Sequence, residues 1–540
     1  MNEVIRKTGS YAPAFFLVLA FALGGLRAPL PWLTFGVIFL AWFARSALFS
    51  PASNKFAALF FLWVGAAALF SPEPAASVSV FARYAVLGLL FYSAAGAESG
   101  EDAWLGAVLC MGGALAAVLL LQRHFSGAAT GLIGLNPNYS AAFCAAAFPA
   151  ALLSATGEGT VKIKIYYFLL VLLLAGGLLA AGSRGALLAA YISAAAGLGL
   201  LRRWRSLAAL LIALLALAAF LSAPALESLF KVSDPRAFAR PQLWASALRA
   251  AAASPLLGWG PGLFGEVFEI FKFPFFDGIS FYGHSTLHAH SEFLNLAAEA
   301  GFPAALLFLL AAGSVLLTGG VKKLPLKLCA LTVLVQAGAD TIFCSGAVSL
   351  LFWGSLGFSA ERPGGEGLRR KYKAALSALC LLGLALGAAR FYGPGGTELF
   401  LEASGAEFET GGNRALGLAL RRHSALDNPK NALVAEGEGR ALAAAGDQRG
   451  AEAAFSRALE LEPLFSRARL GLAGLYGSSG RAADACRELA LSARRPPAGP
   501  RNEYQLALLL PDRAAFERLN KDLCAKTKTG SVTAPGRKTH

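Results

Sequence analysis

Apolar residues run through this chain in long blocks with short polar breaks. A membrane-spanning helix needs about 20 mostly apolar residues. Thirteen stretches meet or approach that length: 11–26, 29–48, 56–71, 76–96, 102–122, 139–156, 165–182, 186–201, 206–222, 292–318, 325–343, 345–360 and 374–392. The pattern predicts an all-α polytopic membrane protein of about 12–13 transmembrane helices. Two segments depart from it, a long loop over about 223–291 and everything after about 393. In the tail, Pro429, Pro463 and Pro497 stand 34 residues apart. Gly439, Leu442, Gly446, Ala451, Phe455 and Ala458, then Ala473, Tyr476, Gly480, Ala485 and Leu489, fall at tetratricopeptide positions within that period. A soluble α-helical tetratricopeptide solenoid is therefore expected over 393–525, after a membrane domain over 1–392. A disordered basic end is expected over 526–540.

Composition agrees. Of 540 residues, 56% are hydrophobic and 15% charged, with a mean hydropathy of +0.55. Soluble proteins carry about 25% charge, so one water-soluble globule is excluded. A disordered chain is excluded by the apolar content. The net charge of +15 has two readings, nucleic-acid binding or the basic excess of cytoplasmic loops. With the N-terminus inside and the spans alternating, seventeen Lys and Arg fall in inside segments, among them Arg45, Lys55, Arg203, Lys323, Lys327 and Lys373. The short outside loops hold three: Arg27, Arg123 and Arg184. That asymmetry follows the positive-inside rule and removes nucleic acid as a partner. The basic start Met1–Lys7 leads into an uncleaved first span, and thirteen spans put the tail outside. Seven cysteines form no CxxC pair. Cys486 and Cys524 lie in the polar tail, where a bridge between them is left open.

Ionisable groups inside spans are rare and costly. Arg83, Glu299 and Asp340 all fall in the outer halves of their spans. A site at the outer membrane boundary suits a lipid-linked substrate better than a midplane transport path does. The loop 223–291 gathers Arg240, Trp244, His284, His288 and His290. Three chemistries compete for these histidines: a zinc site, which lacks an HExxH or cysteine-pair frame; a general base; and capping of the loop. Arg184 and Arg240 keep their charge and can grip phosphate oxygens bidentately.

Four blocks together resemble the O-antigen ligase / O-antigen polymerase family of bacterial membrane glycosyltransferases. They are Asn136-Pro-Asn138-Tyr-Ser-Ala; Ser183-Arg184-Gly185; Arg240-x-x-x-Trp244 followed by Pro255…Gly258-x-Gly260; and His288-Ala-His290-Ser291…Glu299-Ala-Gly301. Ser291 stands where the family usually has asparagine. The resemblance implies a bacterial inner-membrane enzyme with a periplasmic site. It would transfer a glycan from undecaprenyl diphosphate to an acceptor, with inversion, no metal and no cofactor. Arg184, Arg240 and Arg83 would bind the diphosphate. His290, with His288 behind it, would serve catalysis, and Asn138, Asp340 and Glu299 would support. The acceptor stays open between lipid A core, a second lipid-linked repeat and a protein, and the tail is expected to dock a partner. A non-enzymatic transporter of lipid-linked glycans is the alternative.

Overall fold

The computed structural model describes residues 10–46, 48–50, 53–133, 136–220, 240–271, 286–318, 320–361, 370–392, 414–427, 432–461, 463, 465–492 and 513–524. Part of the expected outer loop (221–239 and 272–285, with His284), most of the first tail unit, Pro429, Pro497 and the 526–540 end lie outside these residues. Among the described residues the chain is helical, without strands. It divides into two units: 1–267 with 287–388, and 268–286 with 389–540.

In the first unit the apolar helices are α1 (Ala12–Ala22), α2 (Pro29–Arg45), α3 (Lys55–Leu69), α4 (Pro74–Gly96), α5 (Glu101–Ser126), α6 (Pro137–Ala155), α7 (Val161–Ala181), α8 (Arg184–Leu200) and α9 (Trp204–Phe220). After α10 (Arg240–Ala253) and α11 (Phe264–Phe271) come α12 (Glu292–Leu316), α13 (Leu324–Ala337), α14 (Gly346–Ser359) and α15 (Arg370–Tyr392). Six of these, α4–α7, α12 and α15, are long and apolar enough to cross a bilayer. α1–α3, α8, α9, α13 and α14 are apolar helices of 10–17 residues. At 1.5 Å per residue, 17 residues reach about 25 Å, short of a 30 Å hydrocarbon core. The twelve to thirteen full spans expected from hydropathy are thus six long helices and a set of shorter ones.

Proline at the first turn starts α2, α4, α6 and α13, where its missing N–H costs nothing. Small residues let the helices approach. Gly112 of α5 faces Phe143 and Ala147 of α6, and Gly177 of α7 lies against Ala116. In lipid this close van der Waals packing replaces the hydrophobic drive between helices. The outer face of α7 leaves Ile163, Ile165, Phe168, Leu169 and Leu172 exposed. Such a stripe would aggregate in water and suits hydrocarbon.

The turns sort to two ends of this unit. At one end, basic side chains cap helix-end carbonyls: Arg203 on Leu153, Lys323 on Ala360, Lys327 on Thr318 and Lys373 on Ser46. Cations at helix C-termini offset the dipole. The other end carries the turns at 23–28, 130–139, 182–185 and 338–346.

In the second unit α16 (Arg414–Asp427) precedes two helical hairpins. They are α17 (Ala432–Ala444) with α18 (Gln448–Leu461), and α19 (Ser466–Ser478) with α20 (Ala482–Ser492). Phe455 packs onto Gly439 and Gly471, and Ala451, Ala458, Ala473, Ala485 and Leu489 are buried with it. Of the residues singled out by the 34-residue period, Leu442, Ala451, Phe455, Ala458, Ala473, Tyr476, Ala485 and Leu489 lie in this core, while Gly446 and Gly480 are positive-φ turn residues. After α21 (Arg513–Leu519) a π-turn ends at Cys524, which is disulfide-bonded to Cys486 of α20. The open pairing is a bridge.

Candidate functional site

α10 is built as a clamp. Arg240 and Trp244 are four residues apart and share a helix face. Arg240 donates Nη1 to the Ala339 carbonyl at 2.7 Å, and Trp244 donates Nε1 to the His290 carbonyl at 3.2 Å. One helix thus holds the backbone of two loops, 286–291 and 338–345. His290 has φ 52°, a left-handed conformation uncommon outside glycine. The indole bond holds this strained backbone in place.

Across the junction, His290 Nδ1 lies 3.6 Å from Asp340 Oδ1. Nδ1 is buried with no hydrogen-bond partner. The His290 side chain keeps 41% of its surface exposed, and Asp340 only 7%. Asp340 Oδ1 is fixed by the Thr341 amide at 2.9 Å. The pair is about 0.7 Å outside the range of a charge-assisted hydrogen bond, a distance a side-chain adjustment of His290 can close.

Two more predicted positions, Asn138 and Arg184, gather around Gln336, one turn before Asp340. Its amide nitrogen reaches the Asn138 carbonyl at 3.4 Å, and its side chain packs beside Gly185, next to Arg184. Arg184 is the first residue of α8. Its N-cap Ser183 makes no side-chain capping bond, which leaves the first-turn amides and the helix dipole available to an anion. Arg27 lies over the Tyr139 ring at 5.1 Å. Burial, His290 and Arg27 together push His288 down to about 4.

The second part of the site rests on a break in α12. Gly301 has φ 81° and Pro303 follows. Proline removes the donor that Glu299 O would accept. The 255–262 loop supplies replacements. Trp259 N donates to Ala298 O at 3.0 Å and Gly260 N to Glu299 O at 2.8 Å, while Phe302 N turns to Pro255 O at 2.9 Å. The Trp63 indole donates to Ala300 O at 3.1 Å. Gly258 and Gly260 both have positive φ, and Cβ atoms there would strike α12 and Ser71. The glycine-rich block read from the sequence is therefore a splint for a broken helix.

Beside the part of α12 before the break lies a cavity of about 270 Å³ lined by Arg83, Tyr84, His288, Glu292, Glu299 and Trp353, among others. Glu299 accepts from the Phe264 amide at 3.3 Å and from Asn295. Asn295 in turn accepts from the Ala289 amide at 3.1 Å, between the two histidines. Glu292 accepts from the Phe343 amide at 2.7 Å.

The predicted residues therefore fall into two groups. Arg184, Asn138, Arg240, His290 and Asp340 sit around the 338–345 turn. Arg83 and Glu299 line the cavity, which Arg184 and Arg240 do not, and His288 adjoins both groups. Glu292, Asn295, Tyr84, Gln336 and Arg27 were not singled out from the sequence. The spacing of Glu292, Asn295 and Glu299, at i, i+3 and i+7 in an apolar helix, is a signal that could have found three polar groups on one face. No cluster of three metal-ligating side chains forms among the described residues.

A helical membrane unit with a cation- and histidine-bearing site at one end defines the class. Residues 169–309 match the family model described as O-Antigen ligase. The match takes in Arg184, Arg240, His288, His290 and Glu299. At the level of the family this is a membrane glycosyltransferase domain. No curated protein matches the chain.

Proposed function

We propose that this protein transfers a glycan from undecaprenyl diphosphate to an acceptor hydroxyl at the periplasmic face of the bacterial inner membrane. The observation that carries this reading is His290 held between Trp244 and Asp340 inside a segment of O-antigen ligase type. His290 Nε2 takes the proton of the acceptor hydroxyl, and Asp340 holds Nδ1 and stabilises the imidazolium. The acceptor oxygen forms its bond to the anomeric carbon from the face opposite the phosphate, so the configuration inverts. The bond between that carbon and the phosphate oxygen breaks, and the electron pair leaves on the diphosphate. Arg240 uses one of its five N–H groups on Ala339 O and has others for phosphate oxygens. Arg184, with the N-terminus of α8, receives the second phosphate. No metal or cofactor enters this scheme.

The cytoplasmic end is the one with carbonyl-capping basic side chains, as the positive-inside rule requires. The tail then lies in the periplasm, an oxidising compartment that suits the Cys486–Cys524 bridge. The paired tail helices and their 34-residue period support a tetratricopeptide stack that offers a partner a concave face.

The test uses purified protein in nanodiscs and a fluorescent undecaprenyl-diphosphate oligosaccharide, with lipid A core, a second lipid-linked glycan or a secreted protein as acceptor. Acceptor-dependent release of undecaprenyl diphosphate, lost in Arg184→Ala, is expected. Vectorial movement of the lipid-linked glycan without release would favour a transporter.

A further inference from the structure

The cavity beside His288 has a composition that diphosphate binding does not explain. Its guanidinium, Arg83, forms no hydrogen bond or ion pair with any described residue, although it is largely buried. The Tyr84 hydroxyl likewise has no hydrogen-bond partner among them. Glu292 gives Oε1 to the Phe343 amide and leaves Oε2 without a described partner. Buried polar groups are normally satisfied, so this wall is short of both donors and acceptors. Trp32, Trp353 and Phe343 close the rest.

Three ligands can be compared. A polyprenyl chain would leave Arg83 and both carboxylates unsatisfied in an apolar contact, at the full desolvation penalty. A bare phosphate or diphosphate would meet Arg83 but would leave the wall of Trp32, Trp353 and Phe343 without an apolar partner. A neutral sugar ring presents hydroxyls that donate to carboxylates and accept from a guanidinium, and its C–H faces pack on aromatic rings. About 270 Å³ is at the small end of ligand pockets, enough for one ring and not for a coiled lipid tail. We propose that this cavity binds a single pyranose residue of a substrate, with Arg83, Tyr84, Glu292 and Glu299 reading its hydroxyls. The proposal rests on the glycosyl-transfer reading and moves Arg83 from the diphosphate to the glycan.

The experiment measures binding to the full chain in nanodiscs. Three probes are used: undecaprenyl diphosphate, undecaprenyl-diphosphate N-acetylglucosamine, and a soluble lipid A core oligosaccharide. Arg83→Met and Glu299→Gln are expected to weaken one sugar-bearing probe about tenfold or more, as loss of a hydrogen bond to a charged group does. Undecaprenyl diphosphate should change less than twofold. Weakening of the lipid-linked sugar assigns the cavity to the donor; weakening of the core oligosaccharide assigns it to the acceptor. Equal weakening of undecaprenyl diphosphate returns Arg83 to the diphosphate and overturns the proposal. So do unchanged affinities in both variants, or wild-type protein that binds neither sugar-bearing probe. Should Arg83→Met fail to assemble, Tyr84→Phe and Arg83→Lys carry the same comparison. Wild-type protein that binds sugar but transfers nothing would defeat glycosyl transfer and leave the cavity assignment standing. Full transfer with indifferent cavity variants would do the reverse.

Discussion

His290 Nδ1 and Asp340 Oδ1 face each other at 3.6 Å across a junction that no hydrogen bond yet closes. The two residues are fifty positions apart and belong to different loops. The carboxylate is buried and anchored, while the imidazole keeps an exposed edge. In the proposed mechanism Asp340 orients His290 rather than touching substrate. Replacing Asp340 by Asn keeps the shape and removes the charge. Turnover should fall about 10²-fold or more, within the range that general-base catalysis supplies, with donor binding little changed. Single-turnover rates beside donor affinity check this; an Asp340→Asn enzyme as fast as wild type would remove the assigned role.

Trp244 offers a finer test, because it acts on a backbone. Its indole N–H holds the carbonyl of a residue at φ 52°. Trp244→Phe retains most of the packing and loses one neutral hydrogen bond, about 1 kcal/mol. The expected result is a five- to tenfold loss in kcat with unchanged membrane insertion. Arg240→Ala should be far worse, because it loses the Ala339 tether and, in the proposed mechanism, a phosphate ligand as well. Measuring the two variants side by side separates positioning from binding, and equal losses would contradict the division of labour along α10.

Much of this was legible in the sequence for physical reasons. Hydropathy marked the apolar blocks because lipid demands them. The period of 34 marked Gly439, Phe455 and Ala473 because two helices must approach there. Arg240 and Trp244 were visible as a pair through the block that carries the family resemblance, and the fold puts both on one helix face because four residues make about one turn. The number of long spans was less visible, since hydropathy does not show where Gly and Pro shorten a helix. The splitting of the arginines was also hidden. Arg83 in its span and Arg184 in its outside turn carry the same charge toward the same membrane face, and nothing in the sequence shows that a cavity takes only one of them. Gln336 and Tyr84 gave no signal at all, being ordinary residues in apolar runs.

His288 predicts a pH effect on stability. Burial, with His290 and Arg27 beside it, lowers its folded pKa to about 4 from an ordinary 6.5. The folded protein therefore keeps this ring neutral while an unfolded chain takes up a proton. For a depressed histidine the stabilisation is complete above pH 6.5 and is lost as pH falls toward 4. The full effect is about 3 kcal/mol, at 1.36 kcal/mol per pKa unit. His288→Gln should flatten the decline of Tm between pH 6.5 and 4 while Arg27→Gln softens it. Parallel melting curves for wild type and His288→Gln across that window would contradict the environment assigned to this ring.

The Cys486–Cys524 bridge joins α20 to the last described turn over a sequence separation of 38. Closing a loop of that length stabilises the folded state by about 4 kcal/mol in the chain-entropy model. α21 is only seven residues long and cannot hold its helical form alone. Reduction should therefore loosen α21 first, exposing Phe516, Leu519 and Leu523, which pack on the core of the second unit. Cys486→Ser should lower the melting temperature of that unit and raise proteolysis near 513–524, with the first unit unaffected. The same pair reports on topology. A membrane-impermeant maleimide added to intact spheroplasts after mild reduction should label both cysteines if the tail is periplasmic. Labelling that appears only after the membrane is broken would place the tail in the cytoplasm, where the bridge would not persist, and would reverse the orientation proposed for every helix before it.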